Sequence, residues 1–256
     1  MIELYLNANL TPPCGLARQT ADGSWTLVHP GHSECYHSAA GALTEARHLY
    51  LNSSGILDTF AQGECIRVLD VGLGLGYNAL ATIDGWLQSG SHARLEILSL
   101  ENDEGLFQTL RSGTAPWQMG WDSVWLNLVK GLRHKGGGLW QATMLSSGGG
   151  ALLWHVFLGD ARSDATISEL LKSGPFDYVW QDPFSPKKNP GMWATEWISL
   201  MALAAAENAC LMTYSVARRV RDALLASGWQ VQKIPTTSHK KNWLRAFRLA
   251  RAEDPT

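Results

Sequence analysis

Long apolar runs are missing from this 256-residue chain. No stretch approaches the ~18 uninterrupted apolar residues that a bilayer crossing needs, so no membrane partner is expected. The first residues, "MIELYLNANLTPPC", lack a basic start followed by an apolar run, so a secretory leader is not expected either. Cysteine is scarce: Cys14, Cys35, Cys65 and Cys210 are scattered and form no CxxC pair. That excludes a disulfide frame and points to reduced thiols in a cytoplasmic protein. Positive charge is not in excess, with 21 Lys and Arg against 23 Asp and Glu, so any polyanion site must be a local patch. No internal repeat or low-complexity tract appears.

What is present divides near residue 60. Residues 1–60 are rich in turn formers and are expected to be a small, mostly irregular extension covering a ligand site. Within them "SAAGALTEARHLYL" has a helical stripe of Ala42, Leu43, Ala46, Leu49 and Tyr50. Residues 61–256 alternate strand and helix patterns and are expected to form one domain. Strands are expected at "IRVLDVG", "LEILSLE", "ALLWHVFLGD", "FDYVWQD", "ACLMTYS", "WQVQKIP" and "LRAFRLAR", with "LWQATML" pairing to the third as a hairpin. "MWATEWISLMALAAAE" and "VARRVRDALLASG" are expected helices, the latter ending at Gly228. Trp117, Trp121 and Trp125 recur every four residues and are expected in the core. Such alternation implies an α/β fold with a mostly parallel sheet covered on both faces. The last two strands follow each other too closely for a parallel crossover and should pair antiparallel. Seven strands with that ending suit the Rossmann-like sheet of S-adenosylmethionine methyltransferases.

"DVGLGLGYNAL" places Gly72, Gly74 and Gly76 just after Asp70 at the end of the first strand. Three alternating glycines weaken any strand or helix, so a loop that a ligand approaches closely is expected. The pattern GxGxG differs from the GxGxxG of nicotinamide-cofactor sites, because position 77 is Tyr. Glu101 ends the second strand, where a carboxylate can accept both ribose hydroxyls, and Asp160 ends the third, within reach of an adenine amino group. Either acid by itself could be a helix cap or a solvated strand end. Two at successive strand ends beside a glycine loop point to a nucleoside-cofactor site.

After the fourth strand, "QDPFSPKKNPGMW" sets Asp182 before Pro183, Pro186 and Pro190. Prolines fix the backbone and remove donors, so this loop is stiff. It is suited to holding a carboxylate against a second substrate, although a rigid surface turn would look the same. An amine acceptor must be neutral to attack a sulfonium methyl, and Asp182 could orient it and take its proton. His29, His32, Cys35 and His37 in "HPGHSECYH" match no familiar zinc spacing, and no metal is expected.

The segments "YHSAAGALTEARHLYL", "DVGLGLGYNAL", "LENDEG", "FLGDAR" and "QDPFSPKKNPGMW" together resemble the bacterial tRNA 5-methylaminomethyl-2-thiouridine methyltransferases, from about residue 34 to the C-terminus. The resemblance implies methylation of 5-aminomethyl-2-thiouridine at the tRNA wobble position, with S-adenosylmethionine as cofactor. It places Gly72 and Gly74 at the methionine part, Glu101 at the ribose and Asp160 at the adenine. Tyr36, Ser38 and Glu45 would cover the cofactor, and Asp70, Gly76 and Asn78 would complete its site. Asp182 falls next to the acceptor amine, with Phe184, Pro186 and Lys187 beside it. The basic clusters with Arg218, Lys240 and Lys241 would meet tRNA phosphates, and Trp243 could stack on a flipped base. In this family the methyltransferase is often joined to a flavin oxidase, so a separate oxidase partner is implied here. Two other readings compete: a polyamine aminopropyltransferase, which would need a more acidic pocket, and a nucleoside-binding module without catalysis.

Overall fold

The structure is a computed structural model describing residues 16–62, 65–236 and 242–249. A small three-stranded sheet comes first: β1 (Ala17–Gln19), β2 (Trp25–His29) and β3 (Glu34–Cys35), all antiparallel. These strands are too short, and too rich in turn formers, to show in the sequence, so the expected irregular extension is corrected to an ordered lobe. The helical stripe after it is real but has unexpected geometry. Helix α1 (Ala42–Glu45) runs into a π-helix over Ala46–Asn52 that buries Ala46, Leu49, Tyr50 and Leu51. Such wide turns recur at functional sites because they re-aim side chains. Helix α2 (Ile56–Phe60) completes the lobe.

The main body is a nine-stranded sheet. Strand β4 (Ile66–Val71) is followed by α3 (Tyr77–Gln88), β5 (Leu95–Glu101), α4 (Glu104–Ser112) and α5 (Ser123–Gly131). Strands β6 (Arg133–Gly136), β7 (Leu139–Leu145) and β8 (Ala151–Leu158) form an antiparallel meander. Then come α6 (Asp164–Ser173), β9 (Phe176–Gln181), α7 (Thr195–Ala204), β10 (Ala205–Thr213), α8 (Arg218–Ala226), β11 (Trp229–Pro235) and β12 (Asn242–Arg248). The strand order is β11-β12-β10-β9-β4-β5-β8-β7-β6. The seven expected strands are its parallel centre and its antiparallel end, β11 against β12. The expected hairpin arm β7 and the unforeseen edge strand β6 bring the count to nine.

Helix α7 stops earlier than its alanine-rich sequence suggests. Ala205 pairs with Phe176 of β9, and a left-handed Asn208 breaks the register before Cys210 rejoins it. A neighbouring strand in need of a partner outweighs the helix propensity of three alanines. Two apolar layers sandwich the sheet, one under α3 and the N-terminal lobe, the other under α6, α7 and α8. Trp117 and Trp125 are buried in the first and Trp121 packs against it, as their spacing predicts. Tyr77 ties the lobe to the body, its hydroxyl bonded to the Trp25 and Trp117 carbonyls and to the Trp25 amide. Among the described residues no helix is long and apolar enough to cross a membrane.

Candidate active site

From β4 the chain moves to β5 on one side and later to β9 on the other, and a crevice opens where strand order reverses. It is a cleft of about 740 Å³, a volume suited to a small-molecule ligand. The glycine loop forms its floor. Gly72, Gly74 and Gly76 have φ of 88°, 52° and 91°, values an L side chain rarely adopts. A Cβ on Gly72 would lie 3.1 Å from the Asp182 carbonyl oxygen, and one on Gly74 would lie 3.2 Å from the Tyr36 ring. Side chains there would fill the cradle.

Glu101 lies at the end of β5 with its carboxylate already oriented. It accepts the Gly74 amide at 2.8 Å on one oxygen and the Asn102 and Asp103 amides at 2.9 and 2.8 Å on the other. Burial still raises its pKa, against the pull of those amides. The carboxylate retains lone pairs facing the cleft that a ribose diol would satisfy. Asp160, beyond β8, also lines the cleft, but it is more than half exposed and held by Arg162 at 3.2 Å. That guanidinium keeps its carboxyl below the usual range.

Asp182 follows β9 directly, its amide bonded to the Val71 carbonyl at 3.1 Å. Asn78 Nδ2 donates to its Oδ2 at 2.7 Å. The buried Tyr50 hydroxyl is coupled to the same carboxyl but has no hydrogen-bond partner of good geometry. Burial, then the charge of Glu45, push Asp182 up to about 8. The proline loop behind it is anchored by its carbonyls: Tyr214 Oη donates to Pro183 O and Trp193 Nε1 to Phe184 O, both at 2.9 Å. Glu34 of β3 clasps the loop from the other side, accepting the Ser185 hydroxyl at 2.6 Å. Four rings gather at the mouth, with His32 4.4 Å and His29 and Tyr36 each 4.9 Å from Phe184, centroid to centroid.

Of the expected site residues, Tyr36, Ser38, Glu45, Gly72, Gly74, Glu101, Asp160, Asp182 and Phe184 share this cleft. Three others stand behind its wall and correct the expectation. Asp70 is fully buried, accepts Ser99 Oγ at 2.8 Å, and is pushed up to about 7 by burial. Gly76 supplies the left-handed entry to α3. Asn78 holds Asp182 rather than a cofactor. On the acceptor side, Pro186 is buried within its turn and Lys187 is exposed beside the cleft rather than lining it. Arg218 points outward and pairs with Asp222 of its own helix at 3.6 Å. Trp243 cannot stack on a base, because it is 3% exposed in the core under β12. Lys240 and Lys241 lie outside the described residues. Among the described residues no group of three or more His, Cys, Asp or Glu is placed to hold a metal ion.

Sequence reasoning missed Tyr50, Tyr214, Glu34 and Arg162. Tyr50 was one of five residues on a buried stripe, and nothing local separated it from the others. It also weighed His29 and His32 as metal ligands, whereas they serve as rings at the mouth. The pocket is more acidic than expected as well, with seven carboxylates and one arginine among its lining residues.

Comparison with known proteins agrees with this geometry. Residues 139–248 match the family model described as S-adenosyl-L-methionine-dependent methyltransferase. The chain is 30% identical over 90% of its length to the tRNA 5-methylaminomethyl-2-thiouridine biosynthesis bifunctional protein MnmC of Azoarcus sp. (strain BH72). It is 32% identical over 89% of its length to the protein of the same name from Acidovorax sp. (strain JS42). The chain spans about a third of the length of these relatives, 35% in each case. The crystal structure of MNMC2 from Aquifex aeolicus superposes with a TM-score of 0.74 at 28% identity, covering 97% of this chain and 74% of that one. With its glycine cradle, its oriented strand-end carboxylate and these likenesses, the chain is an S-adenosyl-L-methionine-dependent methyltransferase.

Proposed function

We propose that the chain methylates the aminomethyl nitrogen of 5-aminomethyl-2-thiouridine at the tRNA wobble position. The observation that carries this reading is the meeting, at one cleft mouth, of Asp182 with a cluster of four rings. A carboxyl suits the amine, and flat rings suit a pyrimidine presented out of its stack. The names of the relatives supply the particular base. The cleft's acidic lining admits a cationic amine and keeps phosphates at the rim, where Lys187 and Lys188 stand exposed.

Gly72, Gly74 and Glu101 would hold S-adenosylmethionine, which supplies an electrophilic methyl group. The lobe formed by residues 16–60 closes over it through Tyr36 and Ser38. Asp182, fixed by Asn78 and by the stiff loop behind it, aligns the amine and takes its proton. Alignment of the nitrogen with the methyl supplies much of the remaining rate. In this reading the protein works in the cytoplasm, and a flavin oxidase provides the aminomethyl group.

The test is to incubate the protein with the cofactor and tRNA bearing 5-aminomethyl-2-thiouridine, then weigh the nucleosides after digestion. A gain of one methyl on that uridine is expected; no gain refutes the substrate. The seven cleft carboxylates also favour a second reading, a polyamine acceptor, and spermidine in place of tRNA tests it. Transfer to spermidine but not to tRNA would establish that alternative.

A further inference from the structure

Residues 105–159 carry a charge unlike that of the whole chain. They hold four Lys and Arg, namely Arg111, Lys130, Arg133 and Lys135, and a single acid, Asp122. The fold gathers the four cations at one corner. Arg111 and Lys130 lie in the last turns of α4 and α5, and Arg133 and Lys135 on β6, the outermost strand, which is exposed throughout. The Arg111 guanidinium sits over the Trp140 ring at 4.0 Å and donates to the Leu132 carbonyl at 3.2 Å, so it is fixed beneath the hairpin. Arg133 donates to the Lys130 carbonyl at 2.6 Å, which ties β6 to the end of α5. Arg133 and Lys135 also line a groove of about 360 Å³ with Asn127, Gln141 and Thr143, side chains that can donate hydrogen bonds. Asp122 caps the opposite end of α5. Among the described residues no acid forms an ion pair with any of the four cations. Lysine on an edge strand discourages strand addition, but that purpose asks nothing of the ends of α4 and α5.

We propose that this corner is a phosphate-binding surface that holds the tRNA backbone while the wobble base is in the cleft. The proposal rests on tRNA being the substrate, as proposed above. The cleft is lined mostly by acids and repels phosphate, so the backbone has to be held outside it. The β6–β7 turn brings the corner to the cleft rim: the Leu158 amide donates to the Gly138 carbonyl at 2.9 Å, and Gly159 and Asp160, next along the chain, line the cleft. Side chains at Gly136 and Gly137 would meet open space, so nothing on this turn holds a backbone away. Strand β6 stands five strands from β9, about 24 Å at the usual spacing. It therefore meets nucleotides flanking the wobble position and not the base itself. Contacts to phosphate fix register and orientation without reading sequence, so one surface serves every tRNA that the cleft accepts.

The experiment measures binding of an unmodified tRNA transcript by fluorescence anisotropy across a series of salt concentrations. It compares wild type, the double variant Lys130→Gln with Lys135→Gln, the double variant Lys130→Arg with Lys135→Arg, and Lys233→Gln on the opposite edge strand, β11. Loss of two phosphate contacts should weaken binding at least about tenfold near 0.1 M salt and flatten the slope of log K against log salt by about 1.5. The arginine pair, which keeps the charge, should bind like wild type, and Lys233→Gln should change affinity less than about twofold. S-adenosylmethionine affinity, followed alongside, should be the same in all four. Absent binding by wild type, an unchanged slope in the glutamine pair or an equal loss in Lys233→Gln overturns the surface. A loss shared by the arginine pair, or accompanied by weaker cofactor binding, traces to shape and overturns it too. Because the transcript has no aminomethyl group, the result is independent of the methylation assay. Charge-dependent binding at this corner with no methyl gained by aminomethyl-2-thiouridine tRNA would refute the substrate and leave the surface standing.

Discussion

Asp160 and Asp182 occupy equivalent places, each just beyond the carboxyl end of a parallel strand, yet they have become opposite kinds of acid. Asp160 is more than half exposed and shares its charge with Arg162, which holds its carboxyl below the usual range. Asp182 is enclosed, receives an amide from Asn78, has acids for charged neighbours, and is pushed up to about 8. Strand position brings an acid to the cleft, but its neighbours decide which way its pKa moves. The cleft thus has one end where an arginine favours the charged carboxylate and one end where burial disfavours it.

The comparison can be broken most sharply at Asp182. Asp182→Asn keeps the shape and should lower kcat by about 10² to 10⁴, the span usual for a lost acid–base group, while cofactor affinity hardly changes. Single-turnover methyl transfer beside cofactor titration checks this, and unchanged turnover would make the two acids equivalent. Asp160→Asn should reverse the pattern, weakening cofactor binding by about tenfold, the worth of one good hydrogen bond, and leaving kcat nearly intact.

Gly72 stands between the two ends. Gly72→Ala forces a Cβ to 3.1 Å from the Asp182 carbonyl at a φ of 88°. A cost of about 1–3 kcal/mol in denaturant unfolding is expected from the strained backbone, together with weaker cofactor binding. A neutral result would mean that the loop yields, and that the cradle is not what sets the spacing of the cleft.

A gentler test uses pH. A carboxyl whose pKa rises on folding binds its proton more tightly in the folded chain. The stability Asp182 contributes is complete below about pH 4 and is lost as pH rises through about 8. Asp160, shifted the other way, contributes stability that is present at neutral pH and lost in acid as pH falls through its depressed value. Asp182→Asn should therefore flatten the alkaline fall in melting temperature, and Asp160→Asn should leave that fall unchanged. The Arg162 pair itself, being exposed, should be worth at most about 1 kcal/mol, so Arg162→Gln should be the smallest effect in unfolding experiments.

Much of this was legible in order along the chain. Periodicity marked the parallel strands, three alternating glycines marked the loop after β4, and Glu101, Asp160 and Asp182 declared themselves by ending strands. These signals are local: alternation, turn chemistry and strand ends are written within a few neighbouring residues. The lobe's sheet escaped because strands of two to five residues leave no periodic trace. The basic run before Trp243 suggests a stacking ring, whereas the pleat of β12 turns it into the core.

The sequence by itself determined the α/β class, the nucleoside-type loop and the acids beyond the strands, because short-range physics specifies them. Only the tertiary structure decided which acids are buried, which rings gather at the mouth and that Glu45 and Asp182 line one cleft. Those outcomes depend on burial and on neighbours distant in sequence. Residues 78 and 182 meet only after the sheet has brought α3 beside the end of β9.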